Sequence, residues 1–167
     1  GVLAADWINE IGLDLGRLPP DTTAQLKAQL APHASLADLI DISEDASPAH
    51  YQAAIEAASA APQIDGVLVI HSPKAGADTV ATAQALVQAK ARMNNKPLLT
   101  CWMGDASVGP ARAALGEAGI PSFRTPEAAV GAFGNLVTFY RNQVLLQQTP
   151  PPQSTAAEPD LEAARLV

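Results

Sequence analysis

Two short stretches hold the residue types that could do chemistry. The first is His71-Ser72-Pro73-Lys74-Ala75-Gly76-Ala77-Asp78-Thr79. Small residues at 75–77 let backbone N–H groups come close to an oxyanion. A helix starting near Asp78 would aim its positive dipole end at the same point. Ser72, Lys74, Gly76, Ala77, Asp78 and Thr79 are therefore the candidate phosphate or anion site. The stretch matches neither a Walker A loop nor a dinucleotide fingerprint. It also reads as an ordinary βα loop with Asp78 or Thr79 as helix cap. The second stretch is Trp102-Met103-Gly104-Asp105, a candidate ligand or domain-interface loop. Gly104 permits a positive φ or a close backbone approach. Asp105 also reads as a helix cap, and a tryptophan at a strand end is more commonly core or interface than a ligand platform.

The other reactive side chains carry less. His71 stands alone, with no Ser-His-Asp order and no carboxylate pair around it, so no catalytic residue is assigned. His33 and His50 read as surface residues. Cys101 lies inside an apolar run, where a thiol stays protonated and inert. Asp38, Asp41, Glu44 and Asp45 are metal-like in composition, but their spacing fits no EF-hand loop. They read as a solvated turn, and no metal site is assigned.

The elements that must position the two stretches are legible. Gly66–Ile70 is a continuous apolar run, the pattern of a strand buried on both faces in a parallel sheet. Leu98–Trp102 is a second such strand. A helix from about Asp78 to Met93 joins them. A further helix, near Val108 to Ala118, is closed by Gly119 and leads to a short strand at Ile120–Phe123. Thr125-Pro126-Glu127 opens the last helix as N-cap, N1 and N2, and it reaches about Leu146. Upstream, Ser47 caps a helix with Pro48 at N1 that runs to about Ala60. Val2–Ile11 reads as a helix closed by Gly12. Leu13–Leu18 reads as an edge strand ended by Pro19-Pro20, and Thr23–Leu30 as a helix capped by Asp21 or Thr22. Leu36–Ile42 is a short extended segment. Alternating helices and buried strands from residue 47 onward imply an α/β, doubly wound parallel sheet. Ligands of such sheets bind outside the carboxyl ends of the strands, where both candidate loops fall.

Composition sets bounds. The chain has 167 residues, a net charge of −7, one cysteine and only 4% aromatics. The charge argues against nucleic acid and anionic membrane as partners. One cysteine excludes an internal disulfide framework and suits a reducing, cytoplasmic setting. No apolar run approaches the roughly 20 residues of a membrane span. The N-terminus lacks a basic region before an apolar one, so it is not a secretory signal. Residues 1–148 read as one domain, 149–159 as a stiff Pro-rich linker, and 160–167 as the start of another helix. Both ends read as cuts in a longer polypeptide, with disorder beyond the termini as the alternative.

Three strings taken together, Asp65–Pro73, Lys96–Gly104 and Ala118–Glu127, resemble the CoA-ligase domain of NDP-forming acyl-CoA synthetases, a succinyl-CoA-synthetase-like, flavodoxin-like domain. The resemblance covers the chain from residue 1 to about 167. Gly1–Asp6 looks like the end of that domain's glycine-rich first turn, which implies a first strand just upstream. Tyr140-Arg141-Asn142-Gln143, Leu146–Pro150 and the His71-Ser72-Pro73 loop look most like the subgroup fused to a GNAT acetyltransferase. Those are Pat-type protein lysine acetyltransferases, in which the synthetase-like part senses acyl-CoA. Residues 160–167 would then lead into an ATP-grasp domain.

The resemblance implies CoA or acyl-CoA and ADP or ATP with Mg as ligands of the intact protein. It implies CoA-binding Rossmann, succinyl-CoA-synthetase-like, ATP-grasp and possibly GNAT domains as neighbours, with homo-oligomers open. Family members carry a phosphohistidine on a preceding domain, and no histidine here matches its motif. The helix after Ser72-Pro73-Lys74 takes the place of the family's power helix, whose N-terminus steadies that phosphohistidine. The family's Asn-Pro-x-Asp motif is reduced here to the final residue of Asp38-Leu39-Ile40-Asp41, which favours the regulatory subgroup over a full ligase. A flavin or other nucleotide binder is the third reading; its loops would want aromatics or hydroxyls that these lack. The fragment alone is not expected to be active. A parallel strand left without a neighbour would make it unstable or associating.

Overall fold

A computed structural model of the chain describes residues 1–148. Three parallel strands form its sheet: β1 (Val67–His71), β2 (Leu98–Trp102) and β3 (Ser122–Phe123), in the order β1-β2-β3. Val67 pairs with Leu98 and His71 with Trp102, while Thr100 and Cys101 pair with Ser122 and Phe123. The Val67 N–H donates to the Pro97 carbonyl at 2.9 Å, which starts the ladder. Gly66 must precede it, because a Cβ there would stand 2.5 Å from Phe133 Cζ and 2.8 Å from Pro97 Cγ.

Every residue of β2 is buried, as a strand flanked on both sides should be. β1 departs from the expectation of a fully enclosed strand. It begins one residue later, takes in His71, and buries only Val69 and His71, leaving Val67, Leu68 and Ile70 half-buried. Among the described residues β1 has a strand on one side only.

Six helices complete the described chain: α1 (Val2–Glu10), α2 (Pro20–Gln29), α3 (Pro48–Ala60), α4 (Thr79–Arg92), α5 (Gly109–Glu117) and α6 (Pro126–Gln147). The main core joins Tyr51 and Ile55 of α3, Ala83, Leu86 and Ala89 of α4, and Ala111 and Leu115 of α5 to Val69, Leu98 and Trp102 of the sheet. Alanine at 83, 89 and 111 keeps the helix backbones close to the strands. A smaller cluster packs Leu26 and Leu30 of α2 with Ala34 and with Ala54 of α3.

The caps follow the sequence. The Ser47 hydroxyl accepts from the His50 N–H, while His50 Nδ1 accepts from the Ser47 N–H, a capping box with Pro48 at N1. α5 ends in a Schellman motif. Gly119, at φ 69°, donates to the Gly116 carbonyl, and Ile120 donates to Leu115. Gly12 closes α1 in the same way, through Gly12 to Asn9 and Leu13 to Ile8.

Several local expectations are corrected. Leu13–Leu18 forms no strand; it runs over Ile64, and the Arg17 carbonyl accepts from the Gln63 side chain. Leu36–Ile42 is a loop closed by one antiparallel bridge, Ser35 with Asp41. α2 begins at Pro20 rather than Thr23, since a proline lacks only an N–H that the first turn leaves unpaired. Thr23 Oγ1 donates to the Pro19 carbonyl at 3.0 Å instead of a side chain capping the helix. A 3₁₀ turn, Ala106–Val108, precedes α5, and the last strand shortens to Ser122–Phe123.

The compact body spans Gly1–Asn135. The remainder of α6, from Leu136, is a separate unit in which Phe139, Tyr140, Val144, Leu145 and Leu146 are exposed. Residues 149–167, with the expected linker and following helix, lie outside the described residues. No helix among the described residues is long and apolar enough to cross a membrane.

Candidate functional site

Parallel pairing sends the chain out of β1 and β2 on the same rim, so the two candidate loops lie side by side. They are tied at both ends. The Met103 N–H donates to the His71 carbonyl at 2.9 Å, extending the ladder one step past the strands. Thr79 Oγ1 donates to the Ser107 carbonyl at 3.3 Å, joining the start of α4 to the far end of the second loop.

In the first loop Ser72, Lys74, Ala75, Gly76, Ala77 and Asp78 are exposed, and Thr79 is buried. Gly76 has φ 83°. The Ala77 N–H donates to the Lys74 carbonyl and the Thr79 N–H to the Ala77 carbonyl. The N–H groups of Ala75, Gly76 and Asp78 enter no backbone hydrogen bond among the described residues. Asp78 caps α4, its Oδ1 accepting from the Ala81 N–H at 2.9 Å. Its carboxylate thus already answers part of the helix dipole. The Lys74 ammonium pairs with Asp45, and both side chains are about half exposed. The N–H groups of Ala75, Gly76 and Asp78 thus stay without a backbone partner among the described residues, while the Lys74 and Asp78 side chains are already engaged.

The second loop divides in two. Trp102 is fully buried and belongs to the core under the rim, so it offers no exposed ligand face. Met103 is half-buried, and Gly104 and Asp105 are exposed. Gly104 has φ 113°, a backbone that a side chain would strain. Arg112 of α5 holds the turn, its Nη2 donating to the Trp102 carbonyl and, at 2.7 Å, to the Gly104 carbonyl. Asp105 forms an exposed ion pair with Arg124 at 3.5 Å.

Beneath both loops lies a polar cluster that the sequence reading did not assemble. The Tyr51 hydroxyl and His71 Nδ1 are 2.7 Å apart, and the His71 ring lies 4.5 Å from that of Trp102. His71 Nε2 and Trp102 Nε1 are buried without a hydrogen-bond partner among the described residues, as is Arg112 Nε. Burial holds the His71 pKa below its usual value, so the ring is neutral near pH 7. Burial, and secondly the charge of Asp41, push the Tyr51 hydroxyl up to about 12. Register could have joined His71 to Trp102, since each closes an apolar strand run. Tyr51 could be found only once α3 was placed over that end of the sheet.

The remaining candidates stay apart. His33 is exposed, and His50 is half-buried and spent on its capping box. Burial pushes the Cys101 thiol up, with Glu127 adding to the effect. Asp38 pairs with Arg17, Asp45 with Lys74, and Asp41 Oδ1 accepts from the Ser43 N–H. Among the described residues no three metal-ligating side chains come together.

An α/β domain with a parallel sheet and paired strand-end loops on one rim defines the open-sheet α/β class. Residues 1–147 match the model of the Ligase-CoA domain. The chain belongs to that family. It is 31% identical over 136 residues to acetate–CoA ligase [ADP-forming] I of Archaeoglobus fulgidus, covering 81% of this chain and 19% of that one. It is 33% identical over 142 residues to acetate–CoA ligase [ADP-forming] of Methanocaldococcus jannaschii, covering 83% and 20%. Among solved structures it superposes on dinucleotide forming acetyl-coenzyme A synthetase 1 of Ca. Korarchaeum cryptofilum, seen in complex with phosphate and ADP. That match has a TM-score of 0.80 at 27% identity, and covers 90% of this chain and 33% of that chain. The chain thus spans about a fifth of the length of these curated relatives.

Proposed function

We propose that this chain is the CoA-ligase domain of a larger NDP-forming acyl-CoA synthetase-type protein. In that role the Ser72–Thr79 loop presents backbone N–H groups to a phosphoryl group held by a neighbouring domain. One observation carries the reading: among the described residues the N–H groups of Ala75, Gly76 and Asp78 have no backbone partner, next to the N-terminus of α4 and past the carboxyl end of a parallel strand. Lys74 contributes a nearby positive charge. Thr79 positions the loop through Ser107, and Met103, Gly104 and Asp105 border it. CoA or acyl-CoA, ADP or ATP, and Mg belong to the intact protein.

The overall reaction of such a ligase breaks the acyl-CoA thioester with inorganic phosphate and passes the phosphoryl group to ADP. It yields free acid, CoA and ATP, and runs in either direction. The names of the relatives support this reading. A cytoplasmic setting fits both the reaction and the single buried thiol.

The reduction of Asn-Pro-x-Asp to Asp38-Leu39-Ile40-Asp41 favours a second reading, a Pat-type lysine acetyltransferase. In it the same domain transmits acyl-CoA binding to an acetyltransferase instead of supporting phosphoryl transfer.

Calorimetric titration of the intact protein with acetyl-CoA and with ADP, beside an assay of ATP formed from acetyl-CoA, ADP and phosphate, decides between them. The ligase reading expects both ligands to bind and ATP to form, with Gly76→Val lowering turnover at least tenfold. Acetyl-CoA binding without ATP formation, together with a GNAT sequence further along the polypeptide, supports the regulatory reading. Unchanged phosphoryl transfer in Gly76→Val removes the anion role of the loop.

A further inference from the structure

We propose that Asp45 sets the anion affinity of the rim, by competing with an incoming phosphoryl group for the Lys74 ammonium. This rests on the anion role of the Ser72–Thr79 loop and adds to it an internal rival. Asp41, Glu44 and Asp45 read from sequence as a solvated turn. The structure sets part of that turn on the rim, through the ion pair of Asp45 Oδ1 with Lys74. Lys74 is the one Lys or Arg in residues 71–79, so the pair engages the loop's only permanent positive side chain.

Asp45 is presented by a shaped turn. Ile42 and Ala46, on either side of it, pack against the main core. Asp41 Oδ1 accepts from the Ser43 N–H at 2.9 Å, and the Ala46 N–H donates to the Ser43 carbonyl at 3.3 Å. Ser43 has φ 74°, a left-handed backbone that few side chains adopt. Ser47 then opens α3 through its capping box. The carboxylate is therefore held beside the loop by the turn as well as by the ammonium.

The two carboxylates near the start of α4 differ in what an anion can do to them. Asp78 is committed to the Ala81 N–H at 2.9 Å as the helix cap. Asp45 is held to Lys74 only by a pair whose side chains are 56% and 49% exposed. A pair this open to solvent contributes at most about a fivefold factor. A phosphoryl group, with a charge of about −1.5 to −2 at pH 7, displaces it. Glu44, next in the chain and exposed, forms no ion pair among the described residues, so it supplies charge without competing for Lys74.

Calorimetric titration of the intact protein with inorganic phosphate at low ionic strength tests this. Asp45→Asn is expected to lower the dissociation constant about two- to fivefold, and Lys74→Met to raise it. With Lys74→Met already in place, Asp45→Asn should have no effect, because no ammonium is left to release. Glu44→Gln, the same loss of charge one residue away, should match wild type. The gain in Asp45→Asn should fade toward about 1 M salt. Unchanged or weaker binding in Asp45→Asn overturns the proposal. An equal gain in Glu44→Gln, or in the Lys74→Met background, also overturns it, since either marks a general field and not a competing pair. Failure of the anion role itself looks different: Lys74→Met and Gly76→Val then bind phosphate as wild type does, and the competition falls with it.

Discussion

Tyr51→Phe is expected to loosen the carboxyl ends of β1 and β2 far more than a one-atom change suggests. The phenyl ring keeps its edge-on packing against His71, at a centroid distance of 5.4 Å, so the substitution removes only the hydroxyl oxygen. That oxygen is the 2.7 Å partner of His71 Nδ1. Both residues are buried, so bulk solvent does not restore the bond. Leaving a buried polar atom unmet costs about 1–3 kcal/mol. Local opening of the strand ends should become easier by the same amount, which is a loss of roughly 5- to 150-fold in amide protection. Hydrogen exchange by mass spectrometry on the intact protein reads this in peptides covering β1 and β2. α2, which packs into a different cluster, serves as internal control. A change below about 2-fold in the strand peptides, with α2 equally unaffected, refutes the argument that the Tyr51–His71 bond secures this end of the sheet.

Three further outcomes are expected. Burial lowers the His71 pKa, so the unfolded chain takes up a proton more readily than the folded one. The stability held by neutral His71 is therefore fully present above the unfolded value of about 6.5 and is lost as pH falls below it. Protection of β1 should decline from pH 7 toward pH 5, and His71→Gln should flatten that decline; an unchanged slope counts against it. Gly66→Ala should cost about 1–3 kcal/mol, because the new methyl meets Phe133 and Pro97 at under 3 Å. Phe133→Leu in the same chain should recover part of the loss, and strictly additive denaturation midpoints would show that the clash is not with Phe133. Asp78→Ala removes the cap of α4 and should cost about 1 kcal/mol in protection of its first turn, with Asp78→Ser close to wild type.

Local chemistry was the part of the fold most open to reading from the sequence. Ser47-Pro48, Gly12 and Gly119 act through atoms within a few residues, and each falls where its own φ or side-chain oxygen dictates. Leu98–Trp102 was readable for a related reason, since an unbroken apolar run of five has few other places to go. Leu13–Leu18 misled because its apolar residues serve a lacing segment over Ile64, a contact set by tertiary packing rather than by period. Pro19-Pro20 looked like a stop for what came before and is also the start of α2. At the candidate site, the loops were visible as small and polar residues after strands. The buried Tyr51–His71–Trp102 cluster was not, because its members lie far apart in sequence and meet only through helix placement and register. Arg112 was hidden for the same reason, as its partners are carbonyls that no side-chain pattern announces.

Among the described residues strand order is chain order, with β2 between its two sequence neighbours and one α-helix in each gap. Parallel pairing across a crossover is slow compared with hairpin closure, but the excursions from Val67 to Leu98 and from Thr100 to Ser122 each hold one α-helix that shortens the loop to be closed. β1, α4 and β2 are therefore expected to acquire exchange protection together in the first phase of refolding in a pulse-labelling experiment, and late protection of β2 relative to α2 would contradict this. The rim that carries both candidate loops would then be shaped early, as a by-product of the order in which the strands collapse.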